Sequence, residues 1–478
     1  MDAPQFSIAA IDCRERPVTL RLPFRFGAAT VREAPQAFVR ARLISPDGRS
    51  TVGYAAELMI PKWFDKDPAR SNAQNVDDLR ASLTAAVAAY VADRRNDTAF
   101  GHAARHYAAL LAEGAAAGRN ALTSCYGPAL IDRAVLDALC RLEGRTFVAA
   151  MRSNLPGLDT RLTPDLASFD LSAFLASLPA RDTIAARPTI GLSDPLDGDD
   201  ATVAGSHRLP VTLAQVIRRY GHRHFKVKLC GDSDRDLARL TDIAAVLDRL
   251  PEYAVTLDGN EQFADLESVR AFREALAGHA VLQRLAAAVL YLEQPLPRAL
   301  TFERDVAAAA RHGPLLIDEA DATLDAFAEG LRCGYAGVSS KSCKGLYKSL
   351  LNAARCMHWN ARGSQPLRAF LSAEDLTSQA GLAVQQDLAL VGLLGLRHVE
   401  RNGHHYVDGF AGQHATEAEA SAFLTAHGDL YTDDVTNVRL RITHGRLAFG
   451  SLDTRGFASA AWPDFALLVP LGSPAPVD

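Results

Sequence analysis

HFKVKL (224–229), YAVTLDGN (253–260), VLYLEQPL (289–296), PLLIDEAD (314–321) and YAGVSSKSCKG (335–345) are apolar runs in the middle of this 478-residue chain, each carrying a charged residue at or near its end. Rich in Val, Leu, Ile and Tyr and bounded by Gly, Pro, Asn or Asp, they read as buried parallel strands. The charged residues are Lys228, Asp258, Glu293, Asp318 and Lys341, at intervals of 30, 35, 25 and 23 residues, close to the length of one strand plus one helix. An Ala/Leu/Arg-rich amphipathic stretch follows each run and reads as a helix. Repeating βα units with a polar residue at each strand's C-terminal end describe a (β/α) barrel, an α/β fold whose active site collects at that end.

Three carboxylates in one barrel mouth repel and raise one another's pKa unless a cation neutralises them, so Asp258, Glu293 and Asp318 imply a bound metal. An all-oxygen donor set suits Mg²⁺ or Mn²⁺. Lysine is a poor base at its ordinary pKa, but a neighbouring cation and partial burial lower it, and Lys226 on the same strand face as Lys228 is such a cation. The matching substrate is a carboxylate whose α-proton is removed, because a metal on the carboxylate stabilises the enolate that forms. Lys228 and Lys341, on different strands, can serve opposite faces of that carbon.

These residues resemble the enolase superfamily and, within it, the muconate-lactonizing-enzyme subgroup. The resemblance rests on K-x-K at Lys226 and Lys228, D-G-N at 258–260, E-Q-P at 293–295, D-E at Asp318 and Glu319, and Lys341 on the next strand. It covers roughly residues 5–60 and 183–455. A Lys or His base working with one or two Mg²⁺ ions is the known pairing of that superfamily. The resemblance implies a modified TIM barrel of seven or eight βα units beneath an α+β N-terminal capping domain. It implies Mg²⁺ ligands at Asp258, Glu293 and Asp318, acid/base lysines at Lys228 and Lys341, and an assisting Lys226. Lys344 competes with Lys341 for the second base but falls in the turn that opens the next helix. The mandelate-racemase subgroup needs a His on the seventh strand, and LRAFLSAEDL (367–376) has none.

Outward from the barrel, FSIAAIDC, VTLRL, AFVRARLIS and TVGYAAE alternate like a small antiparallel sheet over residues 1–57, and residues 75–145 have helical spacing. The expected divisions are a cap with a helical extension at 1–182, the barrel at 183–410, and a segment at 411–478 returning to the cap. In that superfamily the cap's loops close over the mouth. Here they are Pro23–Gly27, with Phe24, Arg25 and Phe26, and IPKWFDKDP (60–68), with Lys62, Trp63 and Lys66. Phe24, Arg25 and Trp63, together with Asn260, Glu319, Ser372, Glu374, Glu400 and Asn402 at strand ends, are the candidate substrate contacts. In related dipeptide epimerases an acidic pair on strand eight holds an ammonium group, and Glu400 matches only its first acid. The first barrel strand is read as RPTIGLSD (187–194), residues 146–182 as helical packing elements, and His404–His405 as a solvated loop pair.

A chain that is 48% hydrophobic with a net charge of −5 has no basic footprint for nucleic acid or an anionic membrane. Seven cysteines without C-x-x-C spacing, Cys343 among them, read as buried thiols in a reducing cytoplasm. The expected partner is a small carboxylate, and family resemblance adds a homo-oligomer. Racemisation or epimerisation leads, elimination or cycloisomerisation uses the same residues, and a non-catalytic binding barrel is a third reading.

Overall fold

The computed structural model describes residues 3–26, 29–198, 209–363, 368–434 and 437–473. Three long strands open the chain: β1 (Ser7–Phe26), β2 (Ala29–Ile44) and β3 (Ser50–Leu58), paired antiparallel in that order. P-D-G turns β2 into β3, with Gly48 at φ 86°, which glycine adopts without Cβ strain. Helix α3 (Ala121–Leu142) packs against this sheet, α1 (Asn72–Ala92) and α2 (Ala99–Ala116) pack on α3, and the side chains of Ser71, Thr98 and Asn120 cap their first turns. At Gly53 of β3, a Cβ would sit 2.1 Å from the Ala138 backbone nitrogen, so only glycine lets α3 lie this close to the sheet. Residues 146–182 hold the short helices Phe147–Arg152 and Leu171–Ser177, and Phe147 stacks on Phe457 at 4.0 Å.

The second sheet is the barrel. Its parallel strands are β4 (Thr183–Arg187), β5 (Thr189–Ile190), β6 (His224–Lys228), β7 (Ala254–Asp258), β8 (Val289–Glu293), β9 (Leu315–Ile317), β10 (Gly337–Ser340), β11 (Phe370–Ala373) and β12 (His398–Glu400). β4 pairs with β12 and β5 with β6, and only Pro188 separates β4 from β5. The sheet therefore curls round until one interrupted first strand joins its two ends. Most strand residues are buried on both faces, as parallel sheets require.

Three expectations change. The first barrel strand begins at Thr183, not Arg187, because Ala185–Arg187 already pair with β12, and Pro188, which offers no N–H to the ladder, splits it from Thr189–Ile190. The stretch after β8 carries no long helix: Pro295 and Pro297 open it, and only a short 3₁₀ turn at Ala309–His312 follows. In the C-terminal segment, Arg446–Ala448 adds antiparallel to β4 of the barrel, and the return to the cap comes later, where Val469–Pro470 pairs with β1. Among the described residues no helix is long and apolar enough to cross a membrane.

Candidate active site

Sheet register brings the strand-end residues together. Lys228 pairs with Asp258, and Asp258 with Glu293, so three charged side chains stand on adjacent strands at one level. Asp318 directly follows β9 and Lys341 directly follows β10. A strand's period of two sets Lys226 on the same inward face as Lys228, one layer deeper. All of these residues are buried.

Lys226 is the hub, its Nζ lying 2.9 Å from Asp258, 2.8 Å from Glu293, 2.8 Å from Glu374 and 2.9 Å from Glu400. Lys228 Nζ is 2.7 Å from Asp258 Oδ2, and Lys341 Nζ is 2.6 Å from Asp318 Oδ2. Lys341 also sits 4.1 Å from the centre of the Trp63 ring, which descends from the cap as a cation–π lid. Lys344 approaches Asp318 from behind, 3.5 Å from its Oδ1, while donating to Ser339 Oγ at 2.7 Å and pairing with Asp321 at 2.8 Å.

Five carboxylates (Asp258, Glu293, Asp318, Glu374, Glu400) meet five cations (Arg187, Lys226, Lys228, Lys341, Lys344) in this interior. Burial and the charges of Asp258 and Glu374 push the Glu293 carboxyl well above its ordinary range. Burial opposes charge on Asp258 and Asp318 as well, but the lysines beside them overcome it and hold both low. For Lys226 and Lys341 the desolvation cost is outweighed by the carboxylates around them, and both are held above the usual lysine range. Asp258, Glu293 and Asp318 together present a donor set made only of oxygens, the kind that suits a hard divalent cation. Among the described residues no ready cage of three or more acidic, His or Cys side chains stands open, because lysine ammoniums lie against the carboxylates.

A cavity of about 20 Å³ opens above Lys226, Lys228 and Lys341, roofed by Phe24, Ile60 and Trp63 of the cap and walled by Leu376 and Thr377. Of the candidate contacts, Phe24, Trp63, Glu400 and Asn402 line it. Arg25 is exposed. Ser372 and Glu374 lie deeper, where Glu374 binds Arg187 at 2.6 Å and the Tyr291 hydroxyl at 2.8 Å, and Ser372 meets both Tyr291 and Glu374. Asn260 and Glu319 stand at the rim, joined at 3.1 Å. His404 and His405 are not solvated: they are buried in the short helix Gly403–Tyr406, against Tyr220 and under Arg21 of β1. Burial there pushes the His405 imidazole down to about 3.

Several residues escaped the reading of the sequence. Arg187 fills the barrel interior, where branched apolar residues are the rule, and binds Tyr291, Thr256 and Glu374. Gln294, the middle residue of E-Q-P, accepts from the backbone N–H of Asp318 at 2.8 Å and of Ala320 at 3.1 Å, and donates to Leu296 O and Thr301 Oγ1. It thereby fixes the Asp318 loop to the Glu293 strand. Arg298 joins Lys66, which the sequence already placed on the closing loop, in pinning that loop to the rim. A charged residue inside an apolar strand was the available signal for Arg187. Gln294 offered none beyond its motif.

Residues 210–364 match the family described as Enolase C-terminal domain-like. No curated protein matches the chain. Solved structures similar in fold include an enolase from Bradyrhizobium complexed with magnesium and mandelic acid, 16% identical with TM-score 0.55, covering 94% of each chain. A mandelate racemase/muconate lactonizing protein from Herpetosiphon aurantiacus is 17% identical with TM-score 0.56, covering 96% of this chain and 99% of that one. The muconate lactonizing enzyme from Pseudomonas fluorescens, complexed with muconolactone, is 16% identical with TM-score 0.55 over 97% of this chain and 98% of its own.

Proposed function

We propose that the chain is a member of the enolase superfamily that removes the proton α to the carboxylate of a small organic acid and returns it, as a racemase or epimerase. The observation that carries this reading is the convergence of Lys228 and Lys341 on one cavity from β6 and from the end of β10, each beside a carboxylate of the donor set. Asp258, Glu293 and Asp318 would hold Mg²⁺, which supplies a positive charge for the substrate carboxylate as its α-carbon loses the proton. Lys228 and Lys341 then act as acid and base on opposite faces, and a lysine must be neutral to accept a proton. The Asp318 charge that keeps Lys341 protonated must therefore be taken up elsewhere before Lys341 can act as base.

Substrate choice follows from which polar atoms are free. Glu400 accepts from Thr189, from Asn402 at 2.8 Å, from Lys226 at 2.9 Å and from the Asp375 backbone at 3.0 Å, which leaves no acceptor for a substrate ammonium. Phe24, Ile60, Trp63 and Leu376 supply apolar walls, and the buried Asn402 Oδ1 is unpartnered. These features support an acid with an apolar tail, and leave Glu400 without a free oxygen to pair an α-ammonium. The test is incubation with Mg²⁺ in D₂O against α-hydroxy acids, aryl and alkyl acids, N-acyl amino acids and dipeptides, with NMR of α-proton exchange. Exchange that interconverts enantiomers supports the proposal. Exchange coupled to loss of water or ring closure overturns it in favour of a lyase or cycloisomerase.

A further inference from the structure

A second cavity, of about 70 Å³, lies between α2, α3 and the barrel helix Leu346–Arg362, and it shares no lining residue with the barrel mouth. That volume is several times the roughly 10–15 Å³ that one water needs. Phe100, Leu110, Ala129 and Leu351 form apolar walls, and half-buried Ala103, Ala104 and Tyr107 rim it on the outer side. One feature of the lining is unlike a packing defect. The Tyr347 hydroxyl is buried there with no hydrogen-bond partner, while its ring is held edge-on by Phe100 at 5.3 Å. Buried hydroxyls are ordinarily satisfied, because an unmade hydrogen bond in an apolar surround is costly. The two lysines that also line the cavity are paired, and the buried Asp132 carboxyl is anchored by a hydroxyl. Lys348 donates to the Asp321 carbonyl, Lys344 pairs with Asp321 at 2.8 Å, and Asp132 accepts from Tyr90 at 2.8 Å.

We propose that this cavity is a ligand site, separate from the barrel mouth, for a small, uncharged, mainly apolar molecule that bears one oxygen able to accept a hydrogen bond from Tyr347. Apolar walls exclude an unpaired charge, and an orphaned donor selects one acceptor. The class is that of a phenol, a cyclic alcohol or a small ketone. Burial holds the Tyr347 hydroxyl protonated far above neutral pH, so it remains a donor.

The test is ¹⁹F NMR titration of the full-length protein with 4-fluorophenol and, as the oxygen-free control, fluorobenzene. Saturable binding of 4-fluorophenol is expected, weakened about fivefold by Tyr347→Phe with no change for fluorobenzene, as loss of one neutral hydrogen bond predicts. Ala129→Phe, which fills the cavity, is expected to abolish both. No saturable binding to the wild type, binding that survives both substitutions, or equal loss of both probes in Tyr347→Phe would each overturn the proposal. The Tyr347→Phe comparison decides the matter even if Ala129→Phe does not fold.

Discussion

The Lys66 ammonium, on the cap, lies 2.6 Å from Glu319 Oε1 on the barrel rim and 2.8 Å from Glu261 Oε2. Arg298 reinforces the junction by gripping Glu261 and donating to the backbone carbonyls of Phe64 at 2.7 Å and Trp63 at 3.1 Å. Trp63 is thereby set over Lys341, and Glu319 is the chain neighbour of Asp318. Closure of the cap and placement of the Asp318 loop thus share one ionic lock.

Lys66→Met should leave Glu319 buried without its cation and free the loop that carries Trp63. Turnover per substrate encounter should fall by about tenfold or more, while Mg²⁺ affinity falls by less, because the proposed ligands keep their own strand positions. Steady-state kinetics beside calorimetric Mg²⁺ titration measures the two effects. An equal loss of both would make the lock a part of the metal centre instead of the lid.

Glu293→Gln removes the carboxylate that burial and its acidic neighbours push well above its ordinary range. Substituting groups that merely orient metal ligands costs 10–100-fold in affinity, so loss of a ligand should weaken Mg²⁺ binding by about 100-fold or more. The circular dichroism spectrum should not change, since Gln is isosteric. Calorimetry showing wild-type affinity would remove Glu293 from the donor set.

Lys228→Ala and Lys341→Ala should separate the two faces of the α-carbon. Each is expected to lose exchange of one enantiomer by about 10²–10⁴-fold and to retain more of the other, because a positioned general base contributes on that scale. Single-enantiomer exchange in D₂O reads this directly. Symmetrical loss in both variants is the outcome that the two-base arrangement does not permit.

The strand-end charges were legible because a parallel strand advertises itself as an apolar run, and the polar residue that ends it has few structural reasons to be there. Lys228, Asp258 and Glu293 fall on adjacent strands in register, as their spacing implied. What could not be read was how polar side chains are spent among themselves. Glu400 looks free in sequence, yet Thr189, Asn402, Lys226 and the Asp375 backbone, the first 211 residues away, consume its oxygens. His404 and His405 read as loop residues because the helix holding them is only Gly403–Tyr406 and its cover, β1, lies near the other end of the chain. The break at Pro188 is local and was readable. The missing helix after β8 was masked by Ala-rich composition at 307–310 that carries helical propensity without a partner surface.

Gln294→Leu tests whether the E-Q-P motif acts through its side chain. Gln294 makes four side-chain hydrogen bonds that join β8 to the Asp318 loop, and a leucine of similar size leaves Asp318 N–H and Ala320 N–H without those acceptors. Buried groups left unsatisfied cost about 1–3 kcal/mol each, so denaturant unfolding should show a loss of roughly 2–5 kcal/mol. Mg²⁺ affinity should drop with it, although Gln294 is no proposed ligand. A stable variant with normal affinity would show that the Asp318 loop holds its position without this clamp.

Asp132 supplies a pH test located in the cap, away from the barrel mouth. It is buried on α3, its carboxyl accepts from the Tyr90 hydroxyl at 2.8 Å, and burial pushes it up to about 7. An unfolded aspartate titrates near pH 4, so between about pH 4 and 7 the unfolded chain ionises while the folded chain retains the proton. The folded state binds more protons across that window, and its stability therefore falls as pH rises, with no further loss above it. Asp132→Asn keeps the Tyr90 acceptor and removes the titration. Relative to wild type, the variant should gain stability steadily from pH 4 to pH 7 and hold that gain above, up to a few kcal/mol. Urea unfolding at pH 5 and pH 8 measures the difference, and a gap that does not widen with pH would mean that Asp132 is ionised in the folded cap at both.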